Sequence, residues 1–208
     1  MGLVFHVAAY LAALELGQLT RSAGGLPLLP AATGILWFAL ARSSTRQRAR
    51  VAASALVGTL AWASLRGIPL TDAAGQAVAN VLGAAAGVSV LIRAGVDTRS
   101  VRTIRDTWWL LVAAAVTAVS AATLNLLPAL YRGETVALLA LWHGYVVTGL
   151  LAILFLTPLA LVGGPALAAV IRSRSVAVAA LVVAQVIATH FFWASSDAPR
   201  PALLAPTY

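Results

Sequence analysis

The sequence predicts an all-α fold, a polytopic transmembrane helical bundle with about seven membrane-spanning helices. Three observations predict it. The 208 residues are 61% hydrophobic and only 10% charged, with a mean hydropathy of +0.93. An ordinary soluble domain carries about 25% charged residues, so this chain cannot cover itself with polar surface. Apolar runs long enough to cross a bilayer at ~1.5 Å of helical rise per residue recur along it. The basic residues, 14 arginines and no lysine against six acids, fall in short clusters between those runs. That is the pattern of cytoplasmic loops beside anionic headgroups. It does not form a basic face on a soluble domain, so a nucleic-acid partner is not expected despite the net charge of +8. The chain has no cysteine, which excludes disulfides, thiol catalysis and cysteine-bound metals.

The first span runs from about Gly2 to Leu19. It lacks a basic leader and a small-residue cleavage pattern, so it reads as a retained helix. The second, Leu26 to Ala41, starts at Pro27 and Pro30, where a missing N–H costs least. Arg42 to Arg50 reads as a loop with four arginines, followed by a short third span, Val51 to Arg66. Gly67, Pro69 and Thr71 make a turn, with Thr71 or Asp72 as N-cap of the next helix. The fourth span, Asp72 to Arg93, reads as the central helix of the bundle. Its Gly75, Ala79, Gly83 and Gly87 recur every fourth residue. They form one stripe along which a neighbouring backbone can come close.

A basic loop from Arg93 to Asp106 leads to a fifth span, Thr107 to about Leu127, with Trp108 and Trp109 as interfacial anchors. Pro128 to Glu134 reads as a polar loop. The sixth span, Thr135 to Val162, carries a second small-residue stripe, Gly144, Thr148 and Ala152, expected to pack against span four. Pro158 is expected to kink it or split off a last turn. A seventh span, Val176 to Ala194, ends at Phe191, Phe192 and Trp193. The membrane domain is thus 1–194, and 195–208 is a Pro-rich stub. With the N-terminus inside and the stub outside, ten arginines lie on the cytoplasmic side and four on the other.

That orientation assigns a depth to each polar residue in the spans. Glu15, Gln76, Asn80, His143, Tyr145 and His190 all fall in outer halves. Ionisable groups in hydrocarbon are costly and tend to face a cavity or one another, so these six are the candidates for an outward-opening ligand pocket. No Walker loop, no dinucleotide fingerprint, no H-E-x-x-H and no assembled Ser/His/Asp set is present. No catalytic residue, metal or cofactor is therefore expected.

Four stretches resemble the first type of membrane-associated sensor domain, the MASE group of bacterial histidine kinases and diguanylate cyclases. Leu29-Pro30-Ala31-Ala32-Thr33-Gly34-Ile35 is similar to the family's Trp-Pro-x-x-Gly-Ile. Gly75 to Arg93 resembles its helix with a buried Asn followed by small residues and a closing arginine. Arg102 to Leu124, with Asp106 after a basic turn, resembles the next helix. Trp142 to Leu161, with Thr157-Pro158-Leu159, resembles its Trp- and Gly-containing helix. Leu29 stands where the family has Trp, Gly83 where an acid is common, and Tyr145 and Val147 near a position often Asp. The resemblance implies an integral membrane sensory domain of the bacterial inner membrane, with an eighth helix and a cytoplasmic output module. PRPALLAPTY reads as the opening of that helix, cut short. The expected partners are the lipid bilayer, a homodimer mate, an output module and a small ligand. A small transporter, its substrate-binding subunit or a structural membrane subunit is the alternative.

Overall fold

A computed structural model describes residues 3–19, 31–97, 103–131, 133 and 138–161. Every regular element among them is helical: α1 (Leu3–Leu19), α2 (Ala31–Arg42), α3 (Thr45–Leu65), α4 (Leu70–Arg93), α5 (Ile104–Asn125), the short α6 (Leu127–Tyr131) and α7 (Leu138–Leu161). Two of them, α4 and α5, are long and apolar enough to cross a membrane, and shorter apolar helices cover Ala32–Arg42 and Leu141–Leu154. The expected seventh span and the stub, His190 included, lie outside the described residues.

Local chemistry sets the helix ends. α3 starts at Thr45, so Arg46, Arg48 and Arg50 lie on its first turns and not in a loop as expected. The backbone N–H of Ser44 donates to Gln47 Oε1 at 3.1 Å and holds that start. The helix is therefore 21 residues long, not short. At its other end Gly67 takes φ +67°. Ile68 N–H then reaches the Ala63 carbonyl at 3.0 Å, and Gly67 N–H reaches that of Ser64 at 3.3 Å, closing a Schellman turn. Pro69, rather than Thr71 or Asp72, holds the N-cap position of α4. α5 starts with a full capping box, Thr103 and Asp106 each accepting from the other's backbone N–H at 3.1 Å. Where a polar loop was expected after α5, α6 instead exposes Leu127, Leu130 and Tyr131. α7 runs unsplit through Pro158.

Around α2, α1 packs on α3, α3 on α4, α4 on α5 and α5 on α7, and both end members of this row, α1 and α7, pack on α2. α2 also touches α3 and α4, and it supplies the largest fully buried side chains, Trp37 and Leu36. The enclosed helix is thus α2, and the expectation that α4 is central is corrected. One side of α4 buries Ala77, Asn80, Ala84, Val88 and Leu91, while Val78, Leu82 and Ile92 face out.

The stripe of α4 packs on α5, not on α7 as the sequence suggested. A Cβ added to Gly83 would lie 2.7 Å from that of Ala121, and one added to Gly87 would lie 2.5 Å from the Ala113 carbonyl. The other side of α5 takes α7, with Gly149 facing Ala118. α5 therefore meets the α4 stripe on one side and Gly149 of α7 on the other, and it offers two rows at four-residue spacing: Ala113, Thr117, Ala121 and Ala114, Ala118, Ala122. Of the remaining stripe residues, Ala79, Gly144, Thr148 and Ala152 are buried and Gly75 is half-buried.

Candidate functional site: a hydrogen-bonded core across four helices

The polar residues inside the bundle gather around Asn80. Its side chain is 5% exposed, and its Oδ1 accepts from the Thr33 hydroxyl of α2 at 3.3 Å. The Tyr10 side chain of α1 lies near enough to interact with it. Tyr10 in turn lies 3.0 Å from Thr59 Oγ1 of α3. Thr59 donates its own proton to the Ala55 carbonyl at 2.8 Å, so the Tyr10 hydroxyl is the donor at their contact. Thr33 and Asn80 thus join α2 to α4, and Tyr10 and Thr59 join α1 to α3, with the Ala55 carbonyl as the last acceptor of the second set. Each bond lies where an unpaired polar group is expensive.

Sequence reasoning singled out Asn80 but not its partners. Tyr10 and Thr33 lie in apolar runs, and Thr59 reads as an ordinary back-bonded helix threonine. Beside Tyr10, a small cleft between α1, α2 and α3 is lined by His6 and Ser54 among apolar residues.

Glu15 belongs to a different cluster. Its Oε2 accepts from Trp62 Nε1 of α3 at 2.9 Å, and its Oε1 pairs with Arg66, the C-cap of α3. The Trp62/Arg66 spacing of four residues was the available signal, since it places both on one face of a helix. The pair is partly open to solvent, at 51% exposure for Arg66 and 31% for Glu15, so screening limits its worth. Glu15→Gln is expected to cost less than about 1 kcal/mol, read as a small fall in thermal midpoint that shrinks further at high salt.

His143 is exposed, edge-on to Trp142 with ring centroids 5.3 Å apart. Trp142 Nε1 donates to Thr123 of α5 at 3.1 Å. Gln76 is half-buried one turn from Asn80 on α4, and Tyr145 is half-buried on α7. The described candidates thus do not share a site. Glu15 faces α3, Asn80 faces α1 and α2, and His143 faces outward. Among the described residues no group of three His, Asp or Glu could hold a metal.

Trp37 is the second unusual feature. It is 1% exposed and its indole N–H has no partner among the described residues. The nitrogen points at the α4–α5 seam, 2.9 Å from where a Gly87 Cβ would sit. An unmade buried hydrogen bond costs about 1–3 kcal/mol. Trp37→Phe removes that orphan donor along with some volume, so it is expected to change stability by no more than about 1 kcal/mol. Truncation of a core tryptophan to alanine typically costs about 3–5 kcal/mol. Chemical unfolding of the two variants side by side checks the contrast.

No protein-family model, no curated protein and no solved structure matches the chain.

Proposed function

We propose that this chain is a multi-pass membrane domain of about seven spans, with its N-terminus cytoplasmic. In this reading it acts as the sensory input domain of a bacterial signalling protein, of the membrane-associated sensor type. It responds to the state of the bilayer by a small shift of its helices. The observation that carries the membrane part is the apolar outer surface of α4, α5 and α7. The seam between α4 and α5 is built from Gly83, Gly87, Ala113, Thr117 and Ala121, while Val78, Leu82, Leu111, Val112, Val119 and Val147 face out. Water would penalise such a surface, whereas hydrocarbon does not distinguish it from a core.

The sensory part rests on the seam chemistry and on the resemblance of the four stretches. Helices that meet through glycine and alanine can hold two closely spaced packings, and a stimulus need only favour one of them. A response to the bilayer fits better than an outer ligand pocket, because Glu15, Asn80 and His143 occupy separate surroundings. A second reading, a small transporter, has one observation in its favour. The cluster around Asn80 is buried between helices, where bundles place small-molecule sites.

The absence of native cysteine gives a clean labelling background. Gly133→Cys is expected to react with an impermeant maleimide in intact cells, and Asp97→Cys only after lysis. The reverse pattern, or extraction of the protein by carbonate, defeats the membrane arrangement. Fused to a diguanylate cyclase, the domain should change output when bilayer thickness is varied in nanodiscs. Constant output together with solute uptake into proteoliposomes would favour the transporter.

A further inference from the structure

We infer that one end of the bundle is a binding surface for anionic phospholipid headgroups, formed by Arg46 and Arg50 of α3, Arg93 of α4 and Arg105 of α5. The inference rests on the membrane reading above and adds which arginines select the lipid. α3 runs antiparallel to α2 and α4, and Gly83 and Gly87 set α4 antiparallel to α5 against Ala121 and Ala113. The C-terminal ends of α2 and α4 therefore share one end of the bundle with the N-terminal ends of α3 and α5. Among the described residues that end holds Arg42, Arg46, Arg48, Arg50, Arg93 and Arg105 with Asp97 and Asp106. The opposite end holds Arg66 with Glu15 and Asp72.

The six arginines are not equivalent. Arg48 Nε donates to the Leu40 carbonyl at 3.1 Å and closes the end of α2, and Arg42 lies over the Phe38 ring at 5.3 Å. These two serve the fold. Arg46, Arg50, Arg93 and Arg105 are exposed and make no hydrogen bond or ion pair with a described residue. Arg46 and Arg50 are four apart on one face of α3, and α3, α4 and α5 are successive neighbours. A guanidinium binds a phosphate oxygen pair through two parallel N–H donors.

The surroundings select a lipid over an acidic protein or a nucleic acid. Ile92 and Ile104, the neighbours of Arg93 and Arg105, are 52% and 80% exposed, and Trp108 is 63% exposed one turn into α5. Cationic groups beside large apolar and indole side chains match the boundary between headgroup and acyl chain. An aqueous acidic partner would leave those apolar groups in water.

The test uses the full chain in mixed micelles of phosphatidylcholine and phosphatidylglycerol, with retained lipid counted by native mass spectrometry. Phosphatidylglycerol should be enriched over phosphatidylcholine, and the enrichment should fall as ionic strength rises. Each of Arg46→Gln, Arg50→Gln, Arg93→Gln and Arg105→Gln should lower it by roughly fivefold, with the thermal midpoint unchanged. Arg66→Gln at the opposite end should leave it intact. Equal retention of both lipids by the wild type overturns the inference, as does enrichment that survives all four replacements. Preferential capture of polyglutamate with no lipid selectivity overturns it in favour of an acidic protein partner. A protein that stays soluble without detergent and enters no vesicle defeats the membrane reading itself, a result distinct from insertion without selectivity.

Discussion

Gly87→Ala is expected to destabilise the fold by about 3 kcal/mol, the upper range for overpacking a tight core. The added carbon would lie 1.9 Å from Thr117 Oγ1, 2.5 Å from the Ala113 carbonyl and 2.9 Å from Trp37 Nε1. None of the three yields easily. The Thr117 hydroxyl is held on the Ala113 carbonyl at 2.9 Å, the second atom is backbone, and Trp37 is enclosed by the bundle. α4 and α5 must therefore separate, and the Gly83–Ala121 contact opens with them. Thermal unfolding in detergent should show a large loss for Gly87→Ala. At Gly149 the added carbon would meet Ala118 at an ordinary 3.6 Å. Gly149→Ala should be neutral, or stabilising by up to about 1 kcal/mol through helix propensity. Thr117→Ala should recover part of the Gly87→Ala loss, because it removes the worst clash and leaves the one with the carbonyl. Equal midpoints for Gly87→Ala and wild type would mean that the seam between α4 and α5 is not as close as described.

Asn80→Ala is expected to cost about 2 kcal/mol, because it leaves the buried Thr33 hydroxyl without its acceptor. Tyr10→Phe should cost less, about 1 kcal/mol: it removes the bond to Thr59, which keeps its own bond to the Ala55 carbonyl. In a double-mutant cycle the two substitutions should be sub-additive, since the Tyr10 and Asn80 side chains interact. Additive losses in unfolding midpoints would place Asn80 and Tyr10 in separate environments.

The helices were legible in the sequence because their signal is local. Run length, Pro30 and Gly67 locate most ends within a few residues. The miss at Arg46–Arg50 has a clear cause. Charge density reads as loop, but arginine is a good helix former and Gln47 supports the start of α3. Non-local features were less legible. Sequence gives depth along a membrane normal, one coordinate of three, and says little about which way a helix is turned. Glu15 and Asn80 were expected at one depth, yet Glu15 meets Trp62 and Arg66 while Asn80 meets Thr33. The stripe on α4 was visible, but its partner was not. An alanine row such as Ala113, Thr117, Ala121 stands out poorly in a chain so rich in alanine, whereas glycines at Gly83 and Gly87 mark themselves.

The polar pairs inside the bundle have an electrical consequence. A Grotthuss wire needs every member to accept a proton on one side and release one on the other. An amide such as Asn80 does not exchange protons in this way, and the Ala55 carbonyl, where the Tyr10–Thr59 pair ends, has none to release. The polar groups of the interior therefore join helices without offering a proton a path from one end of the bundle to the other.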